Sequence, residues 1–195
     1  KLKGITQIPG NLKEILKPMS LLQAGGYFKK TFGIDSSPHQ IMDDINHMIE
    51  DKYRYKIELK PGVREFLEKC SRYKKCVATE TDKRLAGYAL KRLGIENYFS
   101  FIITSGEVGG SKRSPEIFVR AARLLGLPAG EIVVFEDALH AVKSAKSAGF
   151  YVVGVKEDTF AQDKEEIQKA ADYYVENLNE FEVKQHESGI SYCRL

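Results

Sequence analysis

Two adjacent carboxylates, Glu136 and Asp137, directly follow a short apolar run, Ile132-Val133-Val134-Phe135. A run of that length bounded by polar residues reads as a buried strand. Acids at the carboxyl end of a buried parallel strand sit where open α/β sheets bind ligands, and hard carboxylate oxygens there suit Mg²⁺. The same residues admit plainer roles. Asp137 can serve as the N-cap of the helix that follows, and Glu136 as a first-turn acid favoured by the helix dipole.

Two other side chains stand at comparable places. Thr79 closes a short apolar stretch that starts at Lys74-Lys75-Cys76, and Lys112 lies in the polar loop SGEVGGSKRS that follows a second apolar stretch, 99–104. In a parallel sheet all carboxyl ends point the same way, so a hydroxyl, an ammonium and two carboxylates can meet at one edge. That set suits a phosphorylated ligand with Mg²⁺. The hydroxyl and the N–H groups of the next helix start can donate to phosphate oxygens, Lys112 can offset their charge, and the acids can hold the metal. Singly, Thr79 reads equally well as an N-cap and Lys112 as a solvated loop lysine.

The elements that would position these residues follow from periodicity. Strands are expected at 74–79, 99–104, 132–135, 151–155 and 173–175, with helices between them at 82–93, after Ser114-Pro115 as N-cap and first helical residue, and at 138–148. Alternating strands and helices give an α/β fold with a Rossmann-like, mainly parallel sheet. Residues 11–52 show helical spacing only (Leu12, Ile15, Leu16; Leu21, Leu22, Phe28; Ile41, Ile45, Met48, Ile49) and read as a small all-helical cap. The expected organisation is a partial cap over 1–57, a core over 58–185 and a tail over 186–195.

Val77-Ala78-Thr79, Ser111-Lys112-x-x-Pro115-Glu116-Ile117-Phe118 and Phe135-Glu136-Asp137, in this order, resemble the second, third and fourth motifs of the haloacid dehalogenase-like hydrolases. The branch resembled is that of the β-phosphoglucomutase-like phosphatases, with a helical cap returning to the core at Leu59-Lys60-Pro61-Gly62-Val63. The resemblance implies that Thr79 and the Glu80 N–H hold a phosphoryl group, that Lys112 stabilises its charge and that of the nucleophile, and that Asp137, with Glu136 directly or through water, binds Mg²⁺. It implies a phosphatase acting on a small phosphorylated metabolite through an aspartyl-phosphate, with a phosphomutase less expected. Ala138, Ala141 and the acidic Glu80 depart from the family's usual residues, and Glu80 would have to point away from the phosphate.

The family's nucleophile and its acid/base partner are aspartates of a DxD motif ending the first core strand. These 195 residues hold no DxD, and Asp43-Asp44 has the wrong spacing and context. In the family's sheet that strand lies between the ones ending at Thr79 and Glu136, and its loss would orphan two rows of backbone groups at about 1–3 kcal/mol each. A segment upstream of Lys1 carrying strand and DxD is therefore expected, and without it the chain is expected to be inactive. The other reading is a non-catalytic domain that binds a phosphorylated ligand or partner.

Composition narrows the partners. A net charge of +3 and 43% hydrophobic residues describe an ordinary globular chain, with no basic face for nucleic acid and no apolar run near the ~20 residues that span a membrane. Three cysteines (Cys70, Cys76, Cys193) without CxxC spacing suggest a reduced, cytoplasmic protein with no zinc site. The glycine-rich loop fails the P-loop template, because Ser111 and Arg113 stand where a glycine and a hydroxyl are needed. Oligomeric state is left open by the sequence.

Overall fold

A helical hairpin opens the fold because its residues carry their own start and stop signals. In the computed structural model, which describes residues 8–16, 19–186 and 189–192, a short α1 (Leu12–Leu16) precedes α2 (Leu21–Phe32) and α3 (Pro38–Tyr55). Ser20 with Gln23, and Ser37 with Gln40, form reciprocal capping boxes, and Pro38 takes the first helical position of α3. A Cβ on Gly25 would lie 2.5 Å from the Pro38 carbonyl oxygen, so only glycine lets α2 cross the start of α3 here. The expectations for residues 1–7 and for Cys193 lie outside the described residues.

The core alternates as expected: α4 (Val63–Lys69), β1 (Val77–Thr79), α5 (Lys83–Arg92), β2 (Ile102–Thr104), α6 (Glu116–Leu125), β3 (Val133–Glu136), α7 (Leu139–Ser147), β4 (Tyr151–Val155), α8 (Lys164–Ala170) and β5 (Tyr173–Val175). All pairings among these strands are parallel. Strand β4 shows why its sequence is almost uniformly apolar: Val152 packs in the cluster of Ile117, Phe118, Val142 and Phe150, while Val153 packs in that of Phe66, Val175 and Phe181. Both faces of the strand are covered. On α6, Ile117, Phe118, Ala121, Ala122 and Leu125 form the buried stripe that helical periodicity demands.

Two boundaries differ from the sequence reading. Ser114 does not cap α6, because Pro115 already has helical dihedrals and the helix proper starts at Glu116. Near the carboxyl end β6 (Val183–His186) and β7 (Gly189–Tyr192) pair antiparallel, where no strand was expected.

The parallel strands do not form one sheet. Strands β1 and β2 pair with each other, and β3, β4 and β5 form a second sheet; among the described residues no ladder joins β1 to β3. Between them lies a cleft of about 680 Å³, walled by Cys76 and Ala78 on one side and Val133 to Glu136 on the other, with Phe66, Phe118 and Phe181 above and below. The Val77 N–H and the Thr79 carbonyl bond toward β2, so the Ala78 N–H and carbonyl between them point toward the cleft. Apolar side chains of β1 and of β3 up to Phe135 are only half-buried, whereas four of the five residues of β4 are buried.

Candidate functional site

Thr79 ends β1. Its Oγ1 accepts the Thr81 N–H at 3.0 Å, a local turn and not a helix cap. The cap of α5 is Asp82, whose Oδ1 accepts from the N–H groups of Arg84 (3.0 Å) and Leu85 (3.3 Å). This corrects the expectation that those N–H groups are available to phosphate. From α3, the Tyr53 hydroxyl reaches Thr81 Oγ1 at 3.2 Å, and the Arg54 guanidinium lies 3.5 Å from the Tyr88 ring centre. The helical unit therefore packs on α5 next to the site.

Lys112 is neither exposed nor free. Its backbone N–H donates to Glu80 Oε1 at 2.8 Å, and its ammonium is ion-paired with Glu136 Oε1. Glu80 thus turns its carboxylate toward the Lys112 loop, where it fastens the main chain. The loop is tied a second time by Glu107, whose Oε2 accepts from the Thr104 N–H at 2.7 Å while its Oε1 meets Lys83 at 2.7 Å. The aromatic face of Phe118 lies 5.9 Å from the Lys112 ammonium.

Glu136 is the last residue of β3 and is buried. Burial raises its pKa above the usual carboxylate range, and Lys112 pulls it back only in part. Asp137 does not cap α7, and Glu136 does not lie in its first turn. The cap position is Ala138, without a side-chain bond, and the helix starts at Leu139. The half-exposed Asp137 carboxylate instead accepts from the Lys60 ammonium at 3.2 Å. Lys60 also meets Glu157 Oε2 at 2.8 Å and donates to the Lys156 carbonyl at 3.0 Å. Hydrogen bonds from Lys60 and from the Thr159 N–H push Glu157 down to about 2. Burial opposes the charge on Lys60, but Glu157 and Asp137 outweigh it and its pKa rises.

The five residues expected from sequence therefore lie at the carboxyl ends of parallel strands in the two sheets, Thr79 and Glu80 at the end of β1, Lys112 in the loop after β2, Glu136 and Asp137 at the end of β3. Lys60 and Glu157 were missed. The available signal for Glu157 was an acid two residues after Val155, as Asp137 lies two residues after Phe135; for Lys60 there was only a lysine before Pro61-Gly62. Among the described residues no three His, Cys, Asp or Glu side chains gather as a complete metal cage. None of the described helices is long and apolar enough to cross a membrane.

The sequence model of the haloacid dehalogenase-like hydrolases matches residues 21–149. Over 105 residues the chain is 41% identical to a phosphorylated carbohydrates phosphatase of Thermotoga maritima, covering 51% of this chain and 49% of that protein. A fructose-1-phosphate phosphatase of Escherichia coli is 26% identical over 122 residues, 63% of this chain and 65% of that one. The chain thus spans about half to two thirds of these relatives' length. The fold superposes on CbbY of Rhodobacter sphaeroides, solved with xylulose-1,5-bisphosphate, with a TM-score of 0.78 at 19% identity, over 91% of this chain and 82% of that one. With the motifs in order and the family matched over residues 21–149, this chain belongs to the haloacid dehalogenase-like hydrolases.

Proposed function

We propose that the protein carrying this chain is a Mg²⁺-dependent phosphatase of a small phosphorylated carbohydrate, working through an aspartyl-phosphate. The observation that carries this reading is the convergence of Thr79, Lys112, Glu136 and Asp137 at the carboxyl ends of parallel strands of the two sheets, beside the cleft that parts them. The substrate class is supported by the relatives, described as phosphatases of phosphorylated carbohydrates and of fructose 1-phosphate.

Thr79 Oγ1 accepts from Thr81 and so keeps its own proton to donate to a phosphoryl oxygen. Lys112, fixed through Glu80 and Glu136, offsets charge on the phosphoryl group and on the attacking carboxylate. Asp137 and Glu136 fit Mg²⁺ by donor type, and the Lys60 ammonium against Asp137 marks a place suited to a cation. Mg²⁺ takes one or two carboxylates and completes its shell with water and phosphate, so two acids are enough. Bound there, it supplies Lewis-acid stabilisation of the transferring phosphoryl charge.

We assign the nucleophile to an extended segment outside these residues, lying in the cleft with its acids at the Thr79–Asp137 edge. There it would pair with the inward backbone groups of β1 and β3. Its carboxylate attacks phosphorus, the bond from phosphorus to the sugar oxygen breaks, that oxygen takes a proton, and water then hydrolyses the acyl phosphate. The 195-residue chain alone has no turnover on this reading. Free thiols at Cys70 and Cys76 fit a reducing, cytoplasmic setting.

The test is phosphate release from hexose and pentose phosphates with Mg²⁺, by the chain alone and with an N-terminal strand ending in Asp-x-Asp. Release should need the strand, its first aspartate and Lys112. Release by the chain alone would overturn the assignment of the nucleophile. No release by either form would overturn the phosphatase, and phosphate binding followed by ³¹P resonance would then favour the non-catalytic reading.

A further inference from the structure

The linker between the helical unit and the core, residues 56–62, sends one charge back to the site. Lys60 lies in it, and its ammonium touches Asp137 Oδ2, Glu157 Oε2 and the Lys156 carbonyl. Those acceptors come from the ends of β3 and β4, so a cation borne by the linker bridges two strands. The pairing lies at the surface but has several partners. Lys60 is 42% exposed, Asp137 37% and Glu157 25%, and the ammonium has an acceptor in three directions. Two residues on, Gly62 has φ +79°, and a Cβ there would fall 2.2 Å from Asn177 Oδ1. The linker is therefore close-packed at Gly62 and electrostatically tied at Lys60.

We propose that Lys60 is a positioning residue that couples cation binding at Asp137 to the conformation of the linker. This rests on the Mg²⁺ reading of Asp137 given above. The Asp137 oxygen that faces the ammonium offers the same lone pairs that a divalent cation takes. Two cations cannot share that oxygen without repulsion, and the divalent ion carries twice the charge. When it binds, Lys60 keeps Glu157 and the Lys156 carbonyl but loses Asp137, and the linker loses one of its ties to the core. Linkage makes the effect reciprocal: a movement of the helical unit that draws Lys60 away leaves Asp137 uncompensated and tightens its hold on the cation. Glu157 has a defined part in this. It keeps Lys60 close while Asp137 is taken, so the tie loosens without being cut.

Two measurements on the purified chain test this. Mn²⁺ affinity is read by electron paramagnetic resonance for wild type, Lys60→Met, Lys60→Arg and Asp137→Ala. Amide hydrogen exchange of residues 57–62 is read with and without saturating Mg²⁺. Lys60→Met should bind Mn²⁺ more tightly by about five- to tenfold, while Lys60→Arg, which keeps the charge, should stay within about twofold. Mg²⁺ should speed linker exchange in wild type and leave it unchanged in Lys60→Met, where it is already fast. Circular dichroism confirms that each variant is folded. Mn²⁺ binding that is lost in Asp137→Ala but indifferent to Lys60 would reject the coupling and keep the metal reading. Linker exchange in wild type that does not respond to saturating Mg²⁺ would also reject it. Mn²⁺ binding that Asp137→Ala does not weaken, or none at all, would overturn both.

Discussion

Lys112 is held by its main chain to Glu80 and by its ammonium to the buried Glu136. Lys112→Ala should therefore do two separable things. It should abolish turnover of the strand-completed enzyme, and it should destabilise the fold by about 2 kcal/mol at neutral pH, because Glu136 is left buried without a partner. The second effect should shrink as pH falls, since burial already favours the protonated form of Glu136. Urea unfolding near pH 5 and pH 8 separates the two, and the double variant Lys112→Met, Glu136→Gln should regain stability without activity. The Lys60–Glu157 pair has its own pH window. Glu157 falls from 4.5 to about 2 on folding, so its contribution is present above pH 4.5 and lost as pH drops toward 2. Lys60 is raised above 10.5, so its side of the pair is present below 10.5 and lost only at higher pH. Glu157→Gln should lower the melting temperature at neutral pH, with the two curves merging near pH 2. The places of Thr79, Lys112, Glu136 and Asp137 next to strand ends were legible in the sequence. Their partners were not: Lys60 reaches Asp137 across 77 positions, and no local pattern announces that.

At the scale of elements, α6 and β4 explain what periodicity can and cannot deliver. The stripe on α6 read directly as a buried face, and Ile117→Ala should cost about 2–4 kcal/mol in chemical unfolding, as expected for a fully buried branched side chain. A run such as Tyr151–Val155 announces a strand but not how closely a helix approaches it. At Gly154 a Cβ would lie 2.6 Å from Ile167 Cγ2 and 3.0 Å from the Tyr174 ring, so α8 rests on bare backbone. Gly154→Ala should wedge α8 away and cost about 1–3 kcal/mol, read in the same experiment. The strands of the first sheet are three residues each, shorter than the apolar stretches that foretold them. Apolar residues such as Cys76 and Phe101 pack on the core cluster without extending the ladder. Helix starts were legible to within a residue, at Asp82, whose side chain caps α5, and at Ala138, where no side chain caps α7.

For the molecule as a whole, the division of the parallel strands between two sheets is the dominant fact. The fold class and the order of elements were legible because each element carries its own period. That the sheet is parted between β1 and β3 was deducible only from the resemblance, since no residue in either strand reports what its neighbour is. An extended peptide with alternating apolar residues and a carboxyl-terminal aspartate should bind the cleft and raise the melting temperature in a concentration-dependent way. Cys76 offers a second readout. Burial pushes its thiol up to about 11, so alkylation at neutral pH should be slow, and the peptide should slow it further because Cys76 lines the cleft wall. Unchanged alkylation with a shifted melting temperature would mean that the peptide binds elsewhere.

The contact between Lys112 and Glu136 joins the two sheets at their carboxyl ends and so bars one mouth of the cleft. The opposite end is rimmed by Arg72, Lys74 and Lys75, just before β1, and by Glu131, just before β3. A free peptide that threads lengthwise into parallel register then comes in acid tip first, past this largely basic collar. Capture of such a segment should be polar in direction and fastest at low ionic strength, slowing as salt screens the collar. Stopped-flow rates for a peptide with its aspartate at the leading or the trailing end would show that polarity directly.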